Sequence, residues 1–112
     1  MLNFYLVIPE NLLSNKDLSA QEKLLFVLIS GLITSKGYCE ETNKFFGEYF
    51  DSHPTTISKW LNRLAESKYV VILINQEDGN KRYIFTPESI INILTGKIKL
   101  AINIDINELI MF

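Results

Sequence analysis

Residues 42–68 read TNKFFGEYFDSHPTTISKWLNRLAESK, and their pattern decides how the rest of the chain is understood. Phe46, Gly47 and Phe50 mark a short helix that breaks at Asp51-Ser52-His53. Pro54 then opens a second helix at its first turn, where a missing N–H leaves no intrahelical bond unmade. Ile57, Trp60, Leu61 and Leu64 recur at spacings of three and four, which predicts one buried stripe. The opposite face carries Thr55, Thr56, Ser58, Lys59, Asn62 and Arg63, with no acid before Glu66. A helix that buries one side and offers small polar and basic groups on the other is what a helix–turn–helix needs to enter a DNA groove.

Upstream, Ser19-Ala20-Gln21-Glu22 is a capping-box pattern. Leu24, Leu25, Leu28, Ile29 and Leu32 follow at helical spacing, and Phe26, Val27 and Ile33 widen the apolar face. This predicts a helix central to the core, ending near Ser35 with Lys36-Gly37 as its stop. Tyr38-Cys39-Glu40-Glu41 reads as a short extended piece, and Thr42 as the next N-cap. Downstream, residues 69–74 are β-rich, residues 76–80 hold an Asp-Gly turn signal, and residues 81–86 alternate through Tyr83 and Phe85. A β-hairpin directly after a helix–turn–helix is a wing. The predicted fold class is therefore α+β, a winged helix–turn–helix with a three-helix core and a β-hairpin wing.

The flanks add smaller elements. Residues 4–8, Phe-Tyr-Leu-Val-Ile before Pro9, predict an N-terminal strand, and residues 10–13 one helical turn. Thr86-Pro87-Glu88 opens a short extra helix carrying Ile90, Ile91 and Leu94, which Gly96 ends. Ile98, Leu100, Ile102, Ile104 and Ile106 alternate with polar or small residues, which predicts a C-terminal strand with one buried face. An unpaired apolar strand needs cover. Residues 98–106 are thus expected to pair with residues 4–8 or across a homodimer. One domain over residues 1–112 is expected, with its core at 19–86 and an extension at 87–112 as candidate dimerisation element.

At 112 residues the chain is long enough for one real core. Eleven Lys and Arg against thirteen Asp and Glu leave a formal charge of -2, so any DNA contact must rely on local positive charge. That acidic balance favours the competing class, a winged helix used as a protein-interaction module without DNA binding. The single Cys39 excludes an internal disulfide, and with His53 alone it makes no metal site. Its simplest role is that of a small buried hydrophobe in an intracellular protein. The first nine residues lack a signal-peptide pattern, and the longest apolar run, 24–29, is too short to span a membrane. A cytoplasmic protein without membrane partners is expected.

No phosphate-cradling glycine loop, metal-ligand spacing or nucleophile with a base is present, so neither an enzyme nor a cofactor is expected. Glu40-Glu41 reads as a solvated loop, and Trp60, being on the apolar stripe, as core. His53 precedes the second motif helix, where a structural role or a phosphate contact suits it better than acid–base work. The polar face of that helix would read base edges and phosphates, while Lys81 and Arg82 in the wing would reach backbone or minor groove. Glu77 and Asp78 oppose the wing contact.

Several motifs in order also resemble a known family. Phe46-Gly47-x-x-Phe50, Thr56-Ile57-Ser58-Lys59-Trp60-Leu61 and Leu64 resemble the bacterial helix–turn–helix pattern, with Gly47 at its small residue. Ile8-Pro9, Leu18-Ser19-Ala20-Gln21-Glu22-Lys23-Leu24-Leu25, Lys36-Gly37-Tyr38-Cys39 and Thr42-Asn43-Lys44 resemble the N-terminal winged-helix domain of plasmid and phage replication initiators. The resemblance covers residues 4–86. It implies duplex DNA binding at an origin, with the third helix in the major groove and the wing beside it. Its contact positions fall on His53, Thr55, Thr56, Ser58, Lys59, Asn62 and Arg63, with Lys81 and Arg82 in the wing. Asp51 stands where a turn glycine is usual, Ser52 where an apolar plug is usual, and Lys68 where a glycine commonly follows the helix. The expected function is sequence-specific DNA binding on a plasmid or phage, serving replication, conjugative transfer or transcriptional control. Replication or transfer proteins are possible partners.

Overall fold

Helix α1 (Glu10–Leu13) leads into α2 (Ala20–Leu32), α3 (Asn43–Phe50) and α4 (Pro54–Glu66). The structure, a computed structural model, describes residues 9–33, 36–100, 102 and 104–110. The capping box at α2 is formed: Ser19 Oγ accepts the Glu22 N–H at 3.1 Å and Glu22 Oε1 accepts the Ser19 N–H at 2.8 Å. α2 stops at Leu32, short of the predicted end near Ser35, because Ile33 turns extended (φ -69, ψ 113) and packs against the core. Thr42 caps α3 through its hydroxyl, which accepts the Phe45 N–H at 3.1 Å.

Between α3 and α4 the chain has almost no room. Asp51 takes the left-handed conformation (φ 52), and the Asp51 and Ser52 N–H groups both reach the Gly47 carbonyl. A Cβ at Gly47 would lie 2.5 Å from the Ser52 carbonyl oxygen, so only glycine lets the turn fold back on α3. At its far end α4 closes in a Schellman motif. The Tyr69 N–H reaches the Leu64 carbonyl and the Lys68 N–H the Ala65 carbonyl, both at 3.0 Å. Lys68 sits at the position of that motif where glycine is favoured, with φ 69. Asp51 and Lys68 thus occupy left-handed positions, where glycine would be free of strain.

β1 (Val71–Asn75) and β2 (Lys81–Phe85) pair antiparallel as a two-stranded hairpin, with Val71 opposite Phe85 and Leu73 opposite Tyr83. Period two sends their side chains to opposite faces. Ile72 and Ile84 face the helices, joining Leu25, Ile29, Phe46, Ile57, Leu61 and Leu64 in the first core. Val71, Leu73, Tyr83 and Phe85 face away and build a second core with Tyr38, Ile90, Ile93 and Leu109. Tyr38 and Tyr83 meet edge to face at 5.0 Å. The hairpin is therefore a shared wall between two apolar clusters.

The C-terminal expectation needs correction. Residues 98–100, 102, 104 and 105 form no strand, and α6 (Ile106–Ile110) follows them. Ile98, Leu100, Ile102 and Ile104 do turn inward, packing on the second core. The alternation reflects burial and not strand pairing, since these four side chains pack on the apolar face of the hairpin while the described residues of the segment pair with neither hairpin strand. The strand on which a paired dimer was expected to rest is thus not formed among the described residues. The predicted strand at 4–8 lies outside the described residues. Helix α5 (Pro87–Leu94) is formed and capped by Thr86, but it buries Ile90 and Ile93 while Ile91 and Leu94 stay exposed.

The architecture is thus α+β, several helices with one antiparallel hairpin, an arrangement compatible with a winged helix. No helix among the described residues is long and apolar enough to cross a membrane. Relief of left-handed strain is a direct check on the helix ends. Lys68→Gly should raise unfolding stability by about 1 kcal/mol, read as a higher urea midpoint at unchanged slope. Gly47→Ala should lower it by at least about 1 kcal/mol, because backbone must shift to admit the methyl group.

Candidate nucleic-acid interface

Helix α4 presents two contrasting faces. Ile57, Leu61 and Leu64 are buried, and Trp60 is half-buried, its ring edge to face with Phe50 at 5.8 Å. Trp60 therefore belongs to the packing of α3 on α4 and is no open stacking platform. His53, Thr55, Lys59, Asn62 and Arg63 are exposed, and Thr56 and Ser58 half-buried. Seven of the nine sequence-predicted site residues thus lie on α4 or its cap. His53 is the N-cap itself: its Nδ1 accepts the Thr55 N–H at 3.1 Å. Lys59 and Asn62 have no hydrogen-bond or ion-pair partner among the described residues, so their donors are available to a ligand.

Arg63 is differently placed. Its Nε donates to Glu22 Oε2 at 2.7 Å, and its Nη2 donates to the Asp17 carbonyl. Glu22 is 3% exposed while the Arg63 side chain is 52% exposed, so a half-open cation neutralises a buried anion. The pair pins the last turn of α4 to the start of α2. Reading the sequence assigned Glu22 only to capping. The missed signal is its position three and four residues before Leu25 and Phe26, which puts a carboxylate on the buried side of an apolar helix.

The two hairpin cations are also engaged. Lys81 Nζ lies 3.7 Å from Asp78 Oδ2, an exposed pair of small energetic weight. Arg82 donates from Nη1 to Asn43 Oδ1 and from Nη2 to the Glu41 carbonyl, both at 2.6 Å. Burial pushes its guanidinium below the ordinary arginine value, an effect the Cys39 thiol opposes. Arg82 thereby ties β2 to the entry of α3 and shares a surface recess with Lys81, Glu40 and Glu41. Exposed Glu77 and Asp78 border the tip, so the hairpin offers less net positive charge than α4.

Cys39 extends the hairpin by an isolated bridge to Ile84, with N–H to carbonyl bonds of 2.8 Å in both directions. It is 2% exposed, and burial pushes its thiol up, against a backbone hydrogen bond from Glu41. Such a thiol is a packing group, not a nucleophile. Among the described residues no cluster of three His, Cys, Asp or Glu could hold a metal.

Two outcomes follow from these environments. Arg63→Ala should destabilise the protein by about 2 kcal/mol in urea titration, less than a fully buried pair because Arg63 is half exposed. Cys39 should react with a thiol reagent at least about a hundredfold more slowly in native buffer than in urea, since labelling then waits on opening of the core. No protein-family model, curated protein or solved structure matches this chain.

Proposed function

We propose that this chain is a winged helix–turn–helix protein that binds duplex DNA in a sequence-specific manner, with α4 as the recognition helix. The observation that carries the reading is the exposed face of α4, where the side chains of Thr55, Lys59 and Asn62 have no hydrogen-bond or ion-pair partner among the described residues while Ile57, Leu61 and Leu64 anchor the helix from behind. Lys59 and Asn62 supply a phosphate or base-edge cation and a bidentate amide, the two kinds of donor that direct readout uses. Thr55, Thr56 and Ser58 add hydroxyls at the end of the helix that enters a groove first. The hairpin is the wing, and since its cations already have acidic or carbonyl partners, the contact is led by the helix. No catalysis is involved. The motif resemblance points to a mobile element, with origin function or transcriptional control as the process served, inside the cytoplasm.

A second reading, a winged helix docking only to protein, is favoured by one observation. An apolar groove of about 310 Å³ runs between α2 and α3, lined by Leu24, Val27, Leu28, Leu32, Tyr49 and Phe50. Leu24 and Tyr49 at its rim are 54% and 65% exposed.

Enrichment of bound sequences from a random duplex pool separates the two. The DNA reading expects a recurring site whose affinity falls steeply with salt. Lys59→Ala and Asn62→Ala should each weaken that binding by about 1–3 kcal/mol. No enrichment at low salt would remove the DNA reading and leave the protein-docking one. Enrichment that survives both substitutions and is lost with Lys81→Ala would replace the helix by the wing.

A further inference from the structure

Glu22 is the one buried carboxylate among the described residues. A capping box needs only one of its oxygens, the Oε1 that accepts the Ser19 N–H. The second oxygen is spent on Arg63, whose Nε it holds at 2.7 Å while the Asp17 carbonyl holds Nη2. A guanidinium carries five N–H donors in a rigid fork. Three remain unused here, on a half-exposed side chain one turn beyond Lys59 along the same side of α4. Apolar residues of similar volume would join α2 to α4 at least as firmly as this ion pair, so stability alone does not explain it. What the pair does provide is a fixed orientation for an otherwise mobile cation.

We propose that Glu22 is a positioning residue for the DNA contact, holding the Arg63 guanidinium so that its unused donors meet a backbone phosphate alongside α4. The role rests on the DNA reading above. Ordering Arg63 during folding spares the rotamer entropy that binding would otherwise lose, an effect of about 3- to 10-fold in affinity. Simple electrostatics predicts the opposite sign for removal of the acid. Glu22 is the anion bound to Arg63, and deleting its charge should favour a polyanion.

The test uses Glu22→Gln in the full chain. Glutamine keeps the size but has one acceptor oxygen where Glu22 uses two. Affinity is measured at fixed low salt for the duplex that the parent enriches most from the random pool, with a thermal melt of each variant. Glu22→Gln should bind about 3- to 10-fold more weakly despite losing a negative charge, and Arg63→Lys, which keeps charge but lacks the fork, should match it. The double variant should bind no more weakly than Arg63→Lys alone. Ser19→Ala, which removes the other half of the cap, should lose stability and keep its affinity. Glu22→Gln binding as tightly as the parent or tighter overturns the proposal, as does an equal loss in the Arg63→Lys background. Should Glu22→Gln not fold, parent-like affinity of Arg63→Lys overturns it by itself. Failure of the parent to bind duplex removes the DNA reading and the Glu22 role together, whereas parent binding with an unaffected Glu22→Gln removes the Glu22 role alone.

Discussion

The absence of a side chain at Gly47 sets the relation between α3 and α4. With the Ser52 carbonyl only 2.5 Å from where a Cβ would sit, the turn folds back tightly enough for Pro54 to start α4 at once. That close approach brings Phe50 against Trp60 and Phe46 into the core beside Ile57 and Leu61. Once α4 is held in this way, its exposed face is decided, because burial of Ile57, Leu61 and Leu64 leaves Thr55, Lys59 and Asn62 no direction but outward. Asp51 accepts a left-handed backbone to allow the turn, a conformation unfavourable for most residues but more accessible to aspartate.

Two electrostatic ties then brace the motif from either side. Arg63 joins the last turn of α4 to the start of α2 through a buried carboxylate, and Arg82 joins β2 to Asn43 and the Glu41 carbonyl at the entry of α3. Both arginines lie on polar stretches that the sequence offers to a ligand, yet both spend donors inside the protein. Lys59 and Asn62 do not. This contrast shifts the weight of any contact from the hairpin to α4, and within α4 it separates residues that are free from one that is held.

The helical half of the fold was legible because its signals are local. Ser19 and Glu22, Thr42, Thr86 and Pro87 each occupy the cap or first-turn position expected of them, and the Ile57–Leu64 stripe is buried except for the flank carrying Trp60. The hairpin was legible for the same reason, its connection falling at residues 76–80 as a 3-10 turn over Gln76–Asp78 followed by left-handed Gly79 and Asn80. What sequence could not give was which side of an extended segment meets what. Ile98, Leu100, Ile102 and Ile104 alternate as a strand would, and they are inward, but a strand also requires a partner edge, which is a property of the whole fold. The partners of Arg63 and Arg82 were illegible likewise, since each is about forty residues distant and nothing local announces them.

The most direct test of α4 as the contact surface is an amide chemical-shift map of the labelled protein titrated with its enriched duplex. Shifts concentrated at Thr55, Thr56, Ser58, Lys59 and Asn62, with smaller changes at the hairpin tip, are the expected result. Shifts confined to Leu24, Leu28 and Tyr49, or none at saturating duplex, would contradict it.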